Sequence, residues 1–254
     1  MIDVHCHLEQ PNYEKDRDNI IEKSKKQLKA IITSCAHSKD FDLTLKLVDR
    51  FSGFIFSTVG IHPKYVNEIS RKEKDVFIER IKEKKDKIVG IGETGLDYYW
   101  IRDKRLQEKQ KELFIQFISL SKELNLPLII HARDSYEDTI KILEREDAKL
   151  VMMHMFGANQ LTKQIIENDW YISMNAIVLK SKRHKKVVRD TPMQRLLLET
   201  DSPWLAPEDF GNKRNDSTAV KFIAKKIAEV KKVSFEKVDK ETTENTINLF
   251  KLNF

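Results

Sequence analysis

The chain reads as an α/β protein whose 254 residues close into a single (β/α)8 barrel covering 1–254. Three observations carry that expectation. Short apolar runs of strand length alternate with segments of helical period eight times over, the pattern of a parallel sheet with helical crossovers. A barrel of this kind uses roughly 250 residues, so one core accounts for the whole length. No linker, sequence repeat or low-complexity tract interrupts the chain, apart from lysine-rich helix surfaces such as 82–87 and 180–189.

The strands are expected at 2–5, 29–34, 54–60, 88–92, 127–131, 149–154, 170–174 and 195–200. Helices at 16–28, 39–51, 71–86, 103–124, 134–146, 159–168 and 181–190 fill the intervals, and 216–230 and 235–252 follow the last strand. Within 103–124, Leu106, Leu113, Phe117, Leu120 and Leu124 recur at three- or four-residue offsets or their multiples, giving one apolar stripe and one charged face. The longer connections, 61–70, 93–102, 175–180 and 201–215, all follow strands, on the face where such barrels carry their sites. The seven glycines lie at or beside strand ends or in these connections.

A composition of 34% charged and 40% hydrophobic residues excludes disordered, collagenous and disulfide-scaffold classes. Cys6 and Cys35 are the only cysteines, and Asp3, His5 and His7 interrupt the first apolar stretch, so no leader is read there. A cytoplasmic protein with reduced thiols is expected. No stretch approaches the ~18 apolar residues of a membrane span, and neither a membrane nor an obligate protein partner is expected. Lys+Arg 46 against Asp+Glu 40 gives +6, which suits a polyanionic partner without requiring one. The preponderance of lysine over arginine equally fits genome composition or a thermophile surface.

His5 and His7 end the first strand on one side, with Cys6 on the other. Alone, the pair fits polar barrel lining as well as it fits metal ligands. Of seven histidines, however, His5, His7, His62, His131 and His154 all fall at carboxyl ends of expected strands, together with Glu93 and Asp201. In a barrel those ends surround one mouth, so residues as far apart as His5 and Asp201 reach a common centre. Four histidines and two carboxylates suffice for two divalent ions, with a carboxylate as the natural bridge. The same groups packed without metal would carry a desolvation and repulsion cost of several kcal/mol.

The segments Asp3-Val4-His5-Cys6-His7-Leu8, Gly60-Ile61-His62-Pro63, Gly92-Glu93-Thr94-Gly95-Leu96-Asp97-Tyr98, His131-Ala132-Arg133, His154-Met155-Phe156 and Glu199-Thr200-Asp201-Ser202-Pro203-Trp204-Leu205 span the chain. In order and spacing they resemble the signature blocks of TatD-type metal-dependent deoxyribonucleases. The resemblance implies a TIM barrel of the amidohydrolase superfamily with its active site at the carboxyl ends of the strands. It implies a two-metal centre whose ligands map to His5, His7, Glu93, His131, His154 and Asp201. The implied reaction is hydrolysis of DNA phosphodiester bonds, exonucleolytic in mode, by a two-metal-activated water, with single strands among the candidate substrates. Mixed imidazole and carboxylate ligands admit Mg, Mn or Zn as the two divalent ions. Relatives that bridge through a carbamylated lysine would carry lysine at position 93, where this chain has glutamate.

By the same resemblance Asp201 orients the water and accepts its proton, or serves as a ligand only. His62, stiffened by Pro63, contacts the scissile phosphate or helps protonate the leaving oxygen. Arg133 and Arg214 offer bidentate phosphate contacts, or are simply solvated. Tyr98, Tyr99 and Trp100 offer stacking surfaces or core packing, and the run Lys180–Lys186 a phosphate track or a wet helix face. Glu199 shares strand parity with Asp201 and either supports a ligand or pairs with another interior charge; His37 and His184 are assigned no function.

Three blocks depart from the family pattern. His154-Met155-Phe156-Gly157-Ala158 replaces His-Cys-Phe-Ser-Gly, Arg214-Asn215-Asp216-Ser217 replaces Arg-Asn-Glu-Pro with Asp216 placed to cap a helix, and Leu8-Glu9 replaces Leu-Asp. These changes bear on substrate contacts. Two other readings stay open: hydrolysis of a small ester, lactone or amide on the same barrel, and a non-catalytic nucleic-acid binding module.

Overall fold

The computed structural model describes residues 1–210 and 214–254. Eight strands form one sheet in sequence order: β1 (Ile2–Cys6), β2 (Ala30–Cys35), β3 (Ile55–Val59), β4 (Gly90–Asp97), β5 (Leu128–Arg133), β6 (Val151–Met153), β7 (Tyr171–Met174) and β8 (Leu196–Leu198). Each pairs in parallel with the next. The barrel is drawn nearly shut by the chain beyond β8: Asp201 N–H donates to His5 O at 2.9 Å, and His7 N–H to Ser202 O at 2.8 Å. The helices are α1 (Arg17–Lys25), α2 (Phe41–Arg50), α3 (Arg71–Glu83), α4 (Lys104–Leu124), α5 (Tyr136–Arg145), α6 (Thr162–Glu167), α7 (Lys182–Asp190), α8 (Val220–Lys231) and α9 (Phe235–Phe250). Among the described residues, no helix is long and apolar enough to cross a membrane.

Apolar packing has two layers. Between sheet and helices, Ile31, Ile55, Ile91, Leu128 and Ile172 meet Phe114, Phe117, Leu143 and Ile223. Inside the barrel, Ile2, Val4, Ala30, Ile32, Ile129, Met152 and Leu197 meet Leu249, Phe250 and Leu252, so the end of α9 and the residues after it cover the floor. The α4 stripe explains why that helix docks: Leu113, Phe117 and Leu120 are buried, and full burial of each such side chain is worth about 1.5–3 kcal/mol. Asp103 starts it by accepting Arg105 N–H at 2.8 Å, and Asn125 ends it with φ 53°.

Several strands are longer or shorter than their apolar runs indicate: β6 keeps only Val151–Met153 and β5 runs on to Arg133. β8 stops at Leu198, and β4 continues through Glu93 to Asp97. The helix expected from 216 starts at Val220, after a short 3-10 turn at Ser217–Ala219 that Asp216 caps by accepting Thr218 N–H at 2.9 Å.

Two of the strands that carry histidine or glutamate into the mouth, β1 and β4, contain a bulge. On β1, Asp3 pairs with Ile31 and Cys6 with Thr33, three steps against two; on β4, Ile91 pairs with Leu128 and Thr94 with Ile130, again three against two. Ile2 and Val4 line the interior, so strict alternation would turn His5 outward; the extra residue turns it in. Ile91 belongs to the outer layer, and the β4 bulge re-aims Glu93 in the same way. Gly92 makes that bulge possible at φ 139°, because a Cβ there would lie 2.4 Å from the carbonyl oxygen of Ile129.

Candidate metal centre

The barrel mouth gathers His5 from β1, His7 just beyond it, His62 after β3, Glu93 from β4, His131 from β5, His154 after β6 and Asp201 after β8. Glu93 is the hub. Its Oε1 lies 2.8 Å from His131 Nδ1, 3.7 Å from His62 Nε2 and 3.8 Å from His154 Nε2. Its Oε2 lies 3.6 Å from His5 Nε2 and 3.8 Å from His7 Nε2. Asp201 Oδ1 faces the second set, at 3.7 Å from His5 Nε2 and 3.5 Å from His7 Nε2. The His5 and His154 rings stack with centroids 3.9 Å apart.

Burial opposes the charge on Glu93, but the imidazoles around it, His62 foremost, together with the His131 hydrogen bond, hold its carboxyl well below the usual carboxylate range. Burial and the neighbouring His154 push His5 well below the ordinary imidazole value. His5 is fully buried, and among the described residues neither ring nitrogen has a hydrogen-bond partner. Leaving a buried polar atom unpaired costs about 1–3 kcal/mol, yet His5 Nε2 faces two carboxylates at a distance too long for a hydrogen bond. A divalent cation there would pair His5 Nε2 with both carboxylates, and nitrogen and oxygen donors in this mixture are what such ions take. The residues therefore fit the implied metal.

Behind these side chains stand three buried carboxylates. Glu9 Oε1 lies 3.2 Å from His7 Nδ1 while its Oε2 accepts Thr33 Oγ1–H at 2.9 Å. Glu199 Oε2 lies 2.8 Å from His154 Nδ1, which is the supporting role of its two expected alternatives. Asp97 Oδ2 lies 2.9 Å from His131 Nε2, and its Oδ1 accepts Trp100 N–H at 2.8 Å. The reading from sequence left Glu9 and Asp97 without a role. Both had a signal: residue 9 continues the alternation of His5 and His7, and Asp97 shares a face with Glu93 and Gly95 once β4 extends past 92.

Other candidates lie apart from the cluster or on its rim. Arg214 is bonded to the Asp16 carboxylate and the Asn12 carbonyl and lies over the Tyr13 ring, so its guanidinium pins the connection after β8 to the segment after β1. Tyr98 is a packing residue whose hydroxyl donates to Asp138 at 2.7 Å. Arg133 sits at the rim with its guanidinium 3.8 Å over the Tyr99 ring. In the lysine-rich run, Lys180 pairs with Glu208 and Lys186 with Asp190, while His184 is buried with Nδ1 2.8 Å from Ser181 Oγ. His37 Nδ1 accepts Lys39 N–H in a local cap.

The family model described as TatD related DNase matches residues 2–251. The chain is 37% identical to the metal-dependent hydrolase YabD of Bacillus subtilis (strain 168), with all of both chains covered. It is 32% identical to the deoxyribonuclease TATDN3 of Homo sapiens, over 98% of this chain and 94% of that one. Among solved structures, the TatD homolog YJJV of Escherichia coli K12 shares the fold with a TM-score of 0.91 at 22% identity, covering 100% of this chain and 98% of that one. The chain belongs to the TatD family of metal-dependent hydrolases.

Proposed function

We propose that the protein is a deoxyribonuclease that removes nucleotides from a DNA end, using two divalent ions held by His5, His7, Glu93, His131, His154 and Asp201. The observation that carries this reading is the division of Glu93: one oxygen faces His5 and His7, the other His62, His131 and His154. That arrangement suits a bridge between two cation sites. Mg, Mn and Zn are the candidates. When bound, such ions supply an activated water and stabilise negative charge on the phosphate oxygens.

The chain's own groups then have definite tasks. Asp201, partly open to solvent at the mouth, orients the attacking water and takes its proton. His62 Nδ1 accepts Lys64 N–H at 3.1 Å, which leaves Nε2 as the protonated nitrogen of the neutral ring. That N–H points into the mouth beside His131, where it can contact the scissile phosphate or the leaving oxygen. Arg133, two residues beyond His131 on β5, supplies a phosphate contact at the rim. Arg214 is left out, since Asp16 already holds it.

The test pairs metal analysis of purified protein with a time course on single-stranded DNA, run with and without chelator. Chelation is expected to abolish turnover, and Mg²⁺, Mn²⁺ or Zn²⁺ to restore it. Glu93→Ala and His131→Ala are expected to be inactive while folded. Wild-type rates in both variants, or turnover of small esters and lactones in place of DNA, would overturn the reading.

A further inference from the structure

Of the three tryptophans, Trp170 is 1% exposed, whereas Trp100 and Trp204 are 62% and 43% exposed, and these two occupy connections on the mouth face, after β4 and β8. A lone exposed indole is ordinary, but adjoining exposed aromatics such as Tyr99 and Trp100 make a continuous apolar surface of the kind that marks a contact site. Trp100 stands edge-to-face with Tyr99, itself 40% exposed, at 5.0 Å between ring centroids. The Arg133 guanidinium lies 3.8 Å over the Tyr99 ring and 5.5 Å from the Trp100 ring. Arg133 shares the β5 face of His131, and among the described residues it makes no ion pair, so its N–H groups remain free for an anion.

The platform is tied to the centre by one carboxylate: Asp97 holds Trp100 N–H through Oδ1 and His131 through Oδ2. Arg102, Lys104 and Arg105 extend a cationic flank along the start of α4, all exposed. π-faces beside a free guanidinium and a cationic flank are the elements that grip a nucleobase and its phosphate together.

We propose that Trp100, supported by Tyr99 and Arg133, stacks one unpaired nucleobase of the strand at the rim of the mouth. A base inside a duplex already has both faces stacked, so only an unpaired base can use the platform without the cost of unstacking. The inference rests on the nuclease reading for its substrate, and its test separates the two. Wild type, Trp100→Ala and Trp100→Phe are compared on a single-stranded DNA oligonucleotide and on the same oligonucleotide with its terminal residues made abasic. Binding of the labelled oligonucleotide is measured in parallel under chelator.

Removing the indole is expected to raise KM for the normal oligonucleotide about tenfold or more, to leave kcat and the abasic substrate nearly unchanged, and to be largely rescued by phenylalanine. Equal KM in Trp100→Ala and wild type, or equal losses on normal and abasic strands, would overturn the platform while leaving the nuclease reading intact. Absence of DNA turnover together with Trp100-dependent binding would sink the nuclease reading and keep the platform. Absence of both would remove both. Should Trp100→Ala fail to fold, wild type alone decides: a normal strand that binds no tighter than its abasic counterpart contradicts the proposal.

Discussion

Glu199 has no exposed surface, and both of its oxygens are fully occupied. Oε2 meets His154 Nδ1 at 2.8 Å and Ser173 Oγ at 2.5 Å; Oε1 accepts Met155 N–H at 3.0 Å and lies 3.3 Å from Asn175 Nδ2. It fixes which nitrogen of His154 faces the mouth. Glu199→Gln places an amide N–H₂ among donors, so the imidazole loses its anchor. We expect a drop in divalent-ion affinity of about 10–100-fold, read by metal titration, with the fold retained; unchanged affinity would deny Glu199 this role. At this scale the sequence was most legible where a residue type is rare and chemically committed. Five of the seven histidines announced the mouth by falling at strand ends, and the structure brings those five around Glu93. Glu9 and Asp97 were not assigned, because a carboxylate that braces an imidazole looks in sequence like any other acidic residue. For Arg214 the sequence shows a guanidinium near a signature block but not its partner Asp16, which lies far away along the chain.

Among the elements, β4 departs most from expectation. Its apolar run ends at Gly92, where Glu93-Thr94-Gly95 reads as a connection, yet all of Gly90–Asp97 is buried strand. The polar side chains that this strand turns into the mouth break the hydrophobic pattern that marks a strand. The bulges on β1 and β4 are likewise invisible to period-two counting, although each decides where His5 or Glu93 points. Gly92→Ala tests the second bulge. With 2.4 Å between the new Cβ and Ile129 O, and φ at 139°, the variant is expected to lose roughly 3 kcal/mol or more of stability. Urea unfolding reads that loss, and a midpoint equal to wild type would show that the strand can be built without glycine there. The helices were easier to read: the α4 stripe stands in the sequence as in the fold, because helical period and burial coincide along its length.

For the molecule as a whole, strand order and closure follow from alternation, length and the short connections, and all eight strands lie in the order the chain supplies them. What alternation does not show is how the two ends are finished. The end of α9 and the residues after it fill the floor with Leu249, Phe250 and Leu252, and the stretch after β8 draws the barrel seam together by bonding Asp201 and Ser202 to His5 and His7. That seam brings Asp201 beside His5 and His7, so closure of the barrel and completion of the centre are one event. The central claim is that six side chains, three on β1, β4 and β5 and three in the connections after β1, β6 and β8, hold a pair of cations bridged by Glu93. Anomalous diffraction from crystals loaded with Mn²⁺ tests it most directly. The account predicts two peaks in the mouth, each about 2.0–2.6 Å from its ligand atoms, with Glu93 contacting both. A single peak that Glu93 does not touch, or manganese bound away from these residues, would contradict it.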